Sequence, residues 1–199
     1  MTDTISFSKY TGDAFNVAQN VLLGATLCSD IDGRICSGKI VELELYMGDR
    51  DRASHAWPNK KTPRNAVMFG PGGHAYVYFV YGMHNMFNVV IGEENQPHAV
   101  LIRALEPIDG IDVMQTRRGM DNIQNLCNGP AKLAAALGIT VRHNGCDLTR
   151  EDKIWLTPGT SAPKRIATGK RIGIDYAGAD ADLPWRFVIA GNKFISKPI

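Results

Sequence analysis

The sequence predicts an α+β fold: a single domain over residues 1–199, built on a curved, largely antiparallel sheet with flanking helices and a protruding β-hairpin. Three observations predict it. Strand-like runs outnumber helical ones and are joined mostly by short turns. Two joins carry hairpin chemistry, Asp32-Gly33 and the segment containing Gly82. No repeat, low-complexity tract or linker divides the 199 residues. A chain of this size buries about 70% of its unfolded surface, so it requires no disulfide or metal staple.

Taken in order, residues 13–23 are predicted to be helical, with Val17, Ala18, Val21 and Leu22 on one side and Gly24 as the stop. Asp32-Gly33 fits a two-residue type I′ turn, and its second arm continues as a strand over residues 35–46. That strand alternates. Val41, Leu43 and Leu45 form a core face, while Glu42, Glu44 and Tyr46 face something other than core. Two carboxylates and a phenol there are costly unless paired, solvated or used. Periodicity disappears over residues 47–73, longer than a connection requires, so this loop is expected to carry function or partner contact. Within it Thr62-Pro63-Arg64-Asn65 reads as a tight turn presenting an arginine.

A second hairpin is predicted over residues 76–91. Tyr76 and Tyr78 share a face, and Tyr81, of opposite parity to Tyr78, lies beside the tip as a protruding aromatic. Asn88 on the returning arm needs hydrogen-bond partners. A third strand, 99–105, stopped by Pro107, contains Arg103, which requires a carboxylate or phosphate if buried. Helices are predicted over 109–118 and 131–137, the latter opened by Gly129-Pro130 and closed by Gly138. Its free N–H groups, with Lys132 nearby, suit a phosphate, although many Pro-initiated helices bind nothing. A capped turn at Thr149 leads to strand-like pieces at 153–156, 165–167, 171–174 and 185–189.

Composition narrows the function classes. The net charge of +2 permits a polyanionic partner without implying one. Arg50, Arg52, Lys60, Lys61 and Arg64 cluster in the long loop, and Lys164, Arg165, Lys170 and Arg171 near the end; each group reads equally as a solvated face. Cys28, Cys36, Cys127 and Cys146 lack metal-ligand spacing and read as small buried hydrophobes, so no metal is expected. No apolar run approaches the ~20 residues of a membrane span. The N-terminus has no basic or apolar signal region, which favours the cytoplasm, or a nucleoid or nuclear setting.

Glu42 and Glu44 stand about 7 Å apart along one strand face. Two glycosidase carboxylates face each other across the scissile bond, whereas neighbours on one strand point the same way, so one acting and one supporting residue is the more natural arrangement. A carbohydrate hydrolase using both glutamates, and a damage-binding module using neither, are the competing readings. A carboxylate beside aromatics suits hydrolysis of a bond to a flat leaving group. An extruded nucleobase is read by stacking between such rings, which Tyr46, His55 and Tyr78 can supply. An aromatic box also favours a cationic ring, such as an alkylated purine.

The residues that carry a resemblance occur in register along the chain: Ile40-Val41-Glu42-Leu43-Glu44-Leu45-Tyr46 with His55, Thr62-Pro63-Arg64-Asn65, Tyr76-Val77-Tyr78 with Tyr81-Gly82-Met83, Asn88, Leu101-Ile102-Arg103-Ala104-Leu105-Glu106-Pro107, and Cys127-Asn128-Gly129-Pro130-Ala131-Lys132-Leu133. Together they resemble the alkyladenine (3-methylpurine) DNA glycosylase family from about Val17 to about Phe194.

The resemblance implies a base-excision-repair enzyme that flips alkylated or deaminated purines out of double-stranded DNA and hydrolyses them away. The substrates implied are of the 3-methyladenine, 7-methylguanine, hypoxanthine and ethenoadenine class. Glu44 takes the position of the general base that activates water, and Arg103 that of the arginine holding the water and sugar-phosphate. Tyr46, His55 and Tyr78 match the residues enclosing the base, Asn88 the one disfavouring guanine, and Tyr81 the tyrosine filling the gap in the duplex. Arg64 and Lys132 are candidate DNA-backbone contacts. No cofactor or metal is implied, and a monomer is expected. No lysine sits beside Glu44 as a Schiff-base nucleophile, so a monofunctional enzyme leaving an intact abasic site is expected. Leu45 stands where a small residue is common, and His84 where an aromatic is common at the tip.

Overall fold

A computed structural model describes residues 4–161 and 163–199; Ala162 and residues 1–3, the start of the N-terminus expected to carry no signal region, lie outside the described residues. The strands are β1 (Thr26–Ile31), β2 (Arg34–Tyr46), β3 (Ala75–Val80), β4 (His84–Ile91), β5 (His98–Asp109), β6 (Ile154–Thr157), β7 (Ile166–Gly169) and β8 (Arg186–Ile189). They form one sheet in the order β3-β4-β5-β2-β1-β6, with β7 and β8 branching from β2, and every pairing is antiparallel. The α+β expectation therefore holds.

The thirteen-residue β2 is the spine. Its turn from β1 has Asp32 at φ 59 and Gly33 at φ 68, the left-handed pair that a type I′ hairpin requires. Along one edge β2 pairs with β5; along the other it pairs first with β1 and then, over Glu42–Glu44, with β8. The sheet forks where the β2–β5 register slips between Ile40 and Leu43. This bulge corrects the simple alternation. Ile40, Leu43 and Leu45 enter the main core, but Val41 turns to the other side and packs with Ala104 and Phe194.

Pro107 does not stop β5, which continues to Asp109. The proline lies opposite Gly38 beside a second register shift, where the ladder tolerates a missing N–H. Because Asp109 stays in the strand, α2 (Ile111–Arg118) starts two residues later than predicted. Gly110, at φ 69, makes the turn, and a Cβ there would lie 2.3 Å from the Ile35 carbonyl oxygen. The first predicted helix is a short α1 (Ala14–Asn16), capped by the Asp13 side chain, that passes into a π-helical turn (Val17–Leu22). The predicted Pro-initiated helix is α3 (Pro130–Leu137). At residues 147–149 the cap is Asp147, whose Oδ1 accepts from the Thr149 N–H at 2.9 Å, rather than Thr149 itself.

The main core lies between one sheet face and the helices. Leu27, Leu43, Leu45, Phe87, Ile102, Leu133 and Leu137 are fully buried in it. Leu45 thus faces the core, as its parity predicts. The opposite face carries Glu42, Glu44, Tyr46, Tyr76, Tyr78 and Arg103, and residues of the 47–73 loop and of the C-terminal third close over it. All four cysteines are free, and Cys28, Cys36 and Cys127 are buried. Among the described residues no helix is long and apolar enough to cross a membrane, and no cluster of three His, Cys, Asp or Glu could hold a metal.

Candidate active site

The polar face of β2 is not wet. Glu42 and Glu44 are both fully buried. Solvation is thereby removed as the fate of these carboxylates, and pairing makes the burial tolerable. The Tyr46 hydroxyl donates to Glu44 Oε2 at 2.8 Å, the Ile172 N–H donates to Oε1 at 2.8 Å, and Arg103 Nη1 lies 3.3 Å from Oε1. Glu42 accepts from Arg103 Nε at 3.3 Å, Arg186 Nη1 at 2.9 Å and the Ser196 hydroxyl at 2.8 Å. Beneath Tyr46, Asp51 takes a two-nitrogen contact from Arg171, one arm of it at 2.8 Å. The Arg171 guanidinium also lies 4.7 Å from the Tyr46 ring centroid and 5.1 Å from that of Trp185. Three buried carboxylates (Glu42, Glu44, Asp51) thus face three buried guanidiniums (Arg103, Arg171, Arg186), so the wall is neutral overall.

Above this wall opens a cavity of about 540 Å³. Tyr46, His55, Tyr78, Asn88, Arg103, Arg64 and Tyr81, all singled out in the sequence, line it together. Strand parity supplies Tyr76, Tyr78 and Asn88, and the Asn88 side chain donates to the Tyr76 carbonyl at 3.0 Å across the β3–β4 pair. The His55 ring stands edge-on to Tyr78 with centroids 4.6 Å apart, and its Nδ1 is hydrogen-bonded to the Tyr76 hydroxyl at 2.8 Å. Asn65 fastens the loop that presents His55: its Nδ2 donates to the His55 carbonyl at 2.8 Å and the Lys60 carbonyl at 2.9 Å. Arg64 lies over the Tyr78 ring at 5.3 Å from its centroid.

Burial sets the protonation states. It pushes the Glu44 carboxyl up, while Arg103, the Tyr46 hydroxyl and the Ile172 N–H pull it back down. Desolvation among the rings, then the charge of Arg64, lowers His55 to about 4. The Tyr46, Tyr76 and Tyr78 phenols are raised, in each case chiefly by burial. At neutral pH the aromatic walls are therefore uncharged. His55 therefore presents a neutral imidazole at pH 7.

Not every singled-out residue joins the cavity. Glu44 lies behind it, beneath Tyr46, Arg103 and Ile172. Pro130 lines the cavity, but Lys132 does not; its ammonium donates to Asn128 Oδ1 at 2.8 Å. Tyr81 is 88% exposed at the β3–β4 tip, with φ 53 beside Gly82 at φ 68. His84 is exposed where β4 begins. The basic cluster of the long loop is exposed throughout, but Arg171 of the second cluster is buried. Residues 171–174 are a loop, not a strand, because Ile172 directs its N–H to Glu44. The two-glutamate hydrolase is also contradicted. Both carboxylates touch the same Arg103 from one side of the sheet rather than facing each other across a bond.

Several site groups escaped sequence reasoning. Asp51, Arg171 and Arg186 looked like ordinary loop or strand charges, and nothing in residue type marks the Ile172 N–H. Tyr176, 71% exposed at the cavity rim with its hydroxyl on the Ala53 carbonyl, follows that loop. Tyr76 carried a legible signal, its shared face with Tyr78.

Comparison with known proteins agrees with this architecture. The model of the methylpurine-DNA glycosylase family matches residues 8–193. A Clostridium acetobutylicum protein named "Putative 3-methyladenine DNA glycosylase" is 44% identical over 195 residues, covering 94% of each chain. Proteins of the same name from Bacillus cereus (strain ATCC 14579) and Carboxydothermus hydrogenoformans are 44% and 48% identical, covering 96% and 94% of this chain and 97% and 96% of theirs. A buried glutamate beneath an aromatic cavity and near-complete matches of this kind lead to one assignment: the chain belongs to the methylpurine-DNA glycosylase family and is a DNA N-glycosylase of alkylation repair.

Proposed function

We propose that Glu44 is the general base of this glycosylase and that the 540 Å³ cavity receives the flipped purine. The observation that carries this reading is the Glu44 carboxylate itself, held by three donors directly under the aromatic cavity. Its Oε2 accepts one hydrogen bond from Tyr46 and keeps a second acceptor direction for water. Glu44 takes the proton as that water attacks C1′ of the deoxyribose; the N-glycosyl bond breaks and its electron pair leaves with the base. The carboxylate also stabilises the oxocarbenium-like charge developing on the sugar. Arg103 keeps Glu44 ionised despite its burial and orients water and sugar-phosphate.

Tyr46, His55 and Tyr78 enclose the base with neutral rings, so a cationic alkylpurine meets aromatic faces without a buried positive charge beside it from His55. A cationic base is already a good leaving group and needs no strong acid. Hypoxanthine and ethenoadenine, being neutral, depend on hydrogen bonds from the cavity instead. Asn88 disfavours guanine through its exocyclic amine. Tyr81 fills the gap left by the flipped nucleotide, and Arg64 and Lys132 meet the DNA backbone. The enzyme acts as a monomer and leaves an intact abasic site, in whichever compartment holds the chromosome.

The test is excision across a panel of duplexes, each carrying 3-methyladenine, 7-methylguanine, hypoxanthine or ethenoadenine. Strand breaks are expected only after alkali. Tight lesion binding without any excision would mean a damage-binding module instead, and breaks before alkali would remove the monofunctional assignment. Asn88→Ser is expected to increase excision of undamaged guanine.

A further inference from the structure

Glu42 is as fully buried as Glu44, and its partners lead back to Glu44 by two routes. The first runs through Arg103, whose Nε is 3.3 Å from Glu42 and whose Nη1 is 3.3 Å from Glu44. The second runs through Arg186. Its Nη1 donates to Glu42 at 2.9 Å and its Nε donates to the Lys170 carbonyl at 3.0 Å. Lys170 precedes Arg171, which is anchored on Asp51, and then Ile172, whose N–H donates to Glu44. The circuit from Glu44 through Arg103, Glu42, Arg186 and the 170–172 segment back to Glu44 is closed.

A C-terminal segment far away in sequence completes it. The Ser196 N–H and hydroxyl both donate to Glu42, and Arg186 donates further to the Lys197 and Pro198 carbonyls at 3.0 and 3.1 Å. A planar guanidinium can make these divergent contacts at once, whereas an ammonium cannot reproduce their fork geometry.

We propose that Glu42 is a positioning residue: with Arg186 and residues 196–198 it fixes Arg103 and the Ile172 N–H, two of the three groups that hold Glu44. This rests on the reading of Glu44 as the base. Glu42 touches neither substrate nor water; it acts through Arg103 and the 170–172 segment. The groups facing Glu44 are Arg103 from β5, Tyr46 and Glu42 from β2, Tyr78 from β3, and Arg171, Ile172 and Tyr176 from the C-terminal segment. Loss of the Glu42 charge leaves Glu44 as the carboxylate nearest Arg103. The guanidinium then leans toward Glu44, favours its ionised form and weakens it as a base.

The test compares Glu42→Gln, Arg186→Lys and Glu44→Gln in single-turnover excision of a lesion, with lesion affinity and thermal unfolding measured alongside. For Glu42→Gln we expect a rate loss of about 10- to 100-fold from a small misplacement of Arg103, with affinity unchanged. Its acid limb moves to lower pH, which a merely structural loss would not do. Arg186→Lys keeps the charge and is expected to slow turnover by several-fold at unchanged affinity. A wild-type rate and pH profile in Glu42→Gln overturns the proposal; if that variant does not fold, a wild-type rate in Arg186→Lys does so. Full activity in Glu44→Gln would instead remove the general-base reading itself, so the two failures are told apart.

Discussion

The wall beneath the cavity and the hairpin tip above it are built on opposite terms. Below, every carboxylate of the Glu42, Glu44 and Asp51 set is buried and held by a guanidinium, with backbone or hydroxyl donors reinforcing the two glutamates. Above, Tyr81 and Met83 stand largely in solvent and Phe79 is about half exposed, and Tyr81 adopts a left-handed backbone conformation costly for an aromatic residue. The difference matches the roles proposed for the two regions. A base that moves a proton needs fixed geometry in a low dielectric. A side chain that enters DNA must stay free of its own protein until the duplex arrives.

The largest expected effect comes from breaking the wall at its reacting end. Glu44→Gln should reduce excision on the order of 10³-fold or more while lesion affinity persists, as measured by single-turnover assay and gel shift. Burial raises the Glu44 carboxyl, so the folded state binds its proton more tightly than the unfolded chain does. Stability from this group is therefore present at low pH and lost as pH rises through the folded value. At pH 7 this group therefore contributes less stability than it does in acid, and Glu44→Gln, which leaves Arg103 its Glu42 partner, should destabilise the fold less than removal of Asp51 does. A large drop in Tm would contradict this account.

The second pair in the wall behaves oppositely. Asp51→Ala strands the Arg171 guanidinium, whose side chain is fully buried, and should destabilise the fold by about 3–5 kcal/mol in urea titrations. A loss near zero would mean that Tyr46, Trp185 and the Leu45 carbonyl suffice for that charge. At the tip, Tyr81→Ala should leave stability unchanged and weaken binding to a lesion duplex by about 1–3 kcal/mol, the scale of base–aromatic stacking. Equal affinity of the two proteins for that duplex would remove the wedge role.

The smallest contrast is in pH dependence. With Glu44 as the proposed base, excision requires its ionised form, so activity is expected to fall as pH drops through its raised value, and the acid limb should lie above the ordinary carboxylate range near 4.3. His55, lowered to about 4, stays neutral across that limb and should add no second step near 6.5. A step there that disappears in His55→Ala would show that the imidazole titrates inside the cavity.

Much of this could be read in advance because local rules are strong where the chain is regular. Parity placed Glu44 with Tyr46 and Tyr76 with Tyr78. Asp32-Gly33 set the β1–β2 turn, and the Pro130 and Gly138 signals bounded α3 nearly to the residue. Parity failed at Val41, where the bulge inserts a residue that no local pattern announces. From its own strand Pro107 predicts a stop, because the register shift that accommodates it is a property of two strands, not one. In the sequence Arg171 is one of a group with Lys164, Arg165 and Lys170, and only Arg171 finds a carboxylate 120 residues away.

By itself the sequence determined the α+β architecture, the polar stripe on β2, the aromatic stripe on β3 and the family to which the chain belongs. Periodicity and turn chemistry are local, and several motifs in fixed order are specific. Tertiary structure alone decided which charges are buried, that Glu42 and Glu44 share one arginine, and that the Ile172 N–H completes the Glu44 site. A charged side chain's pairing depends on what the distant chain brings within hydrogen-bond reach, and a backbone N–H has no letter in the sequence.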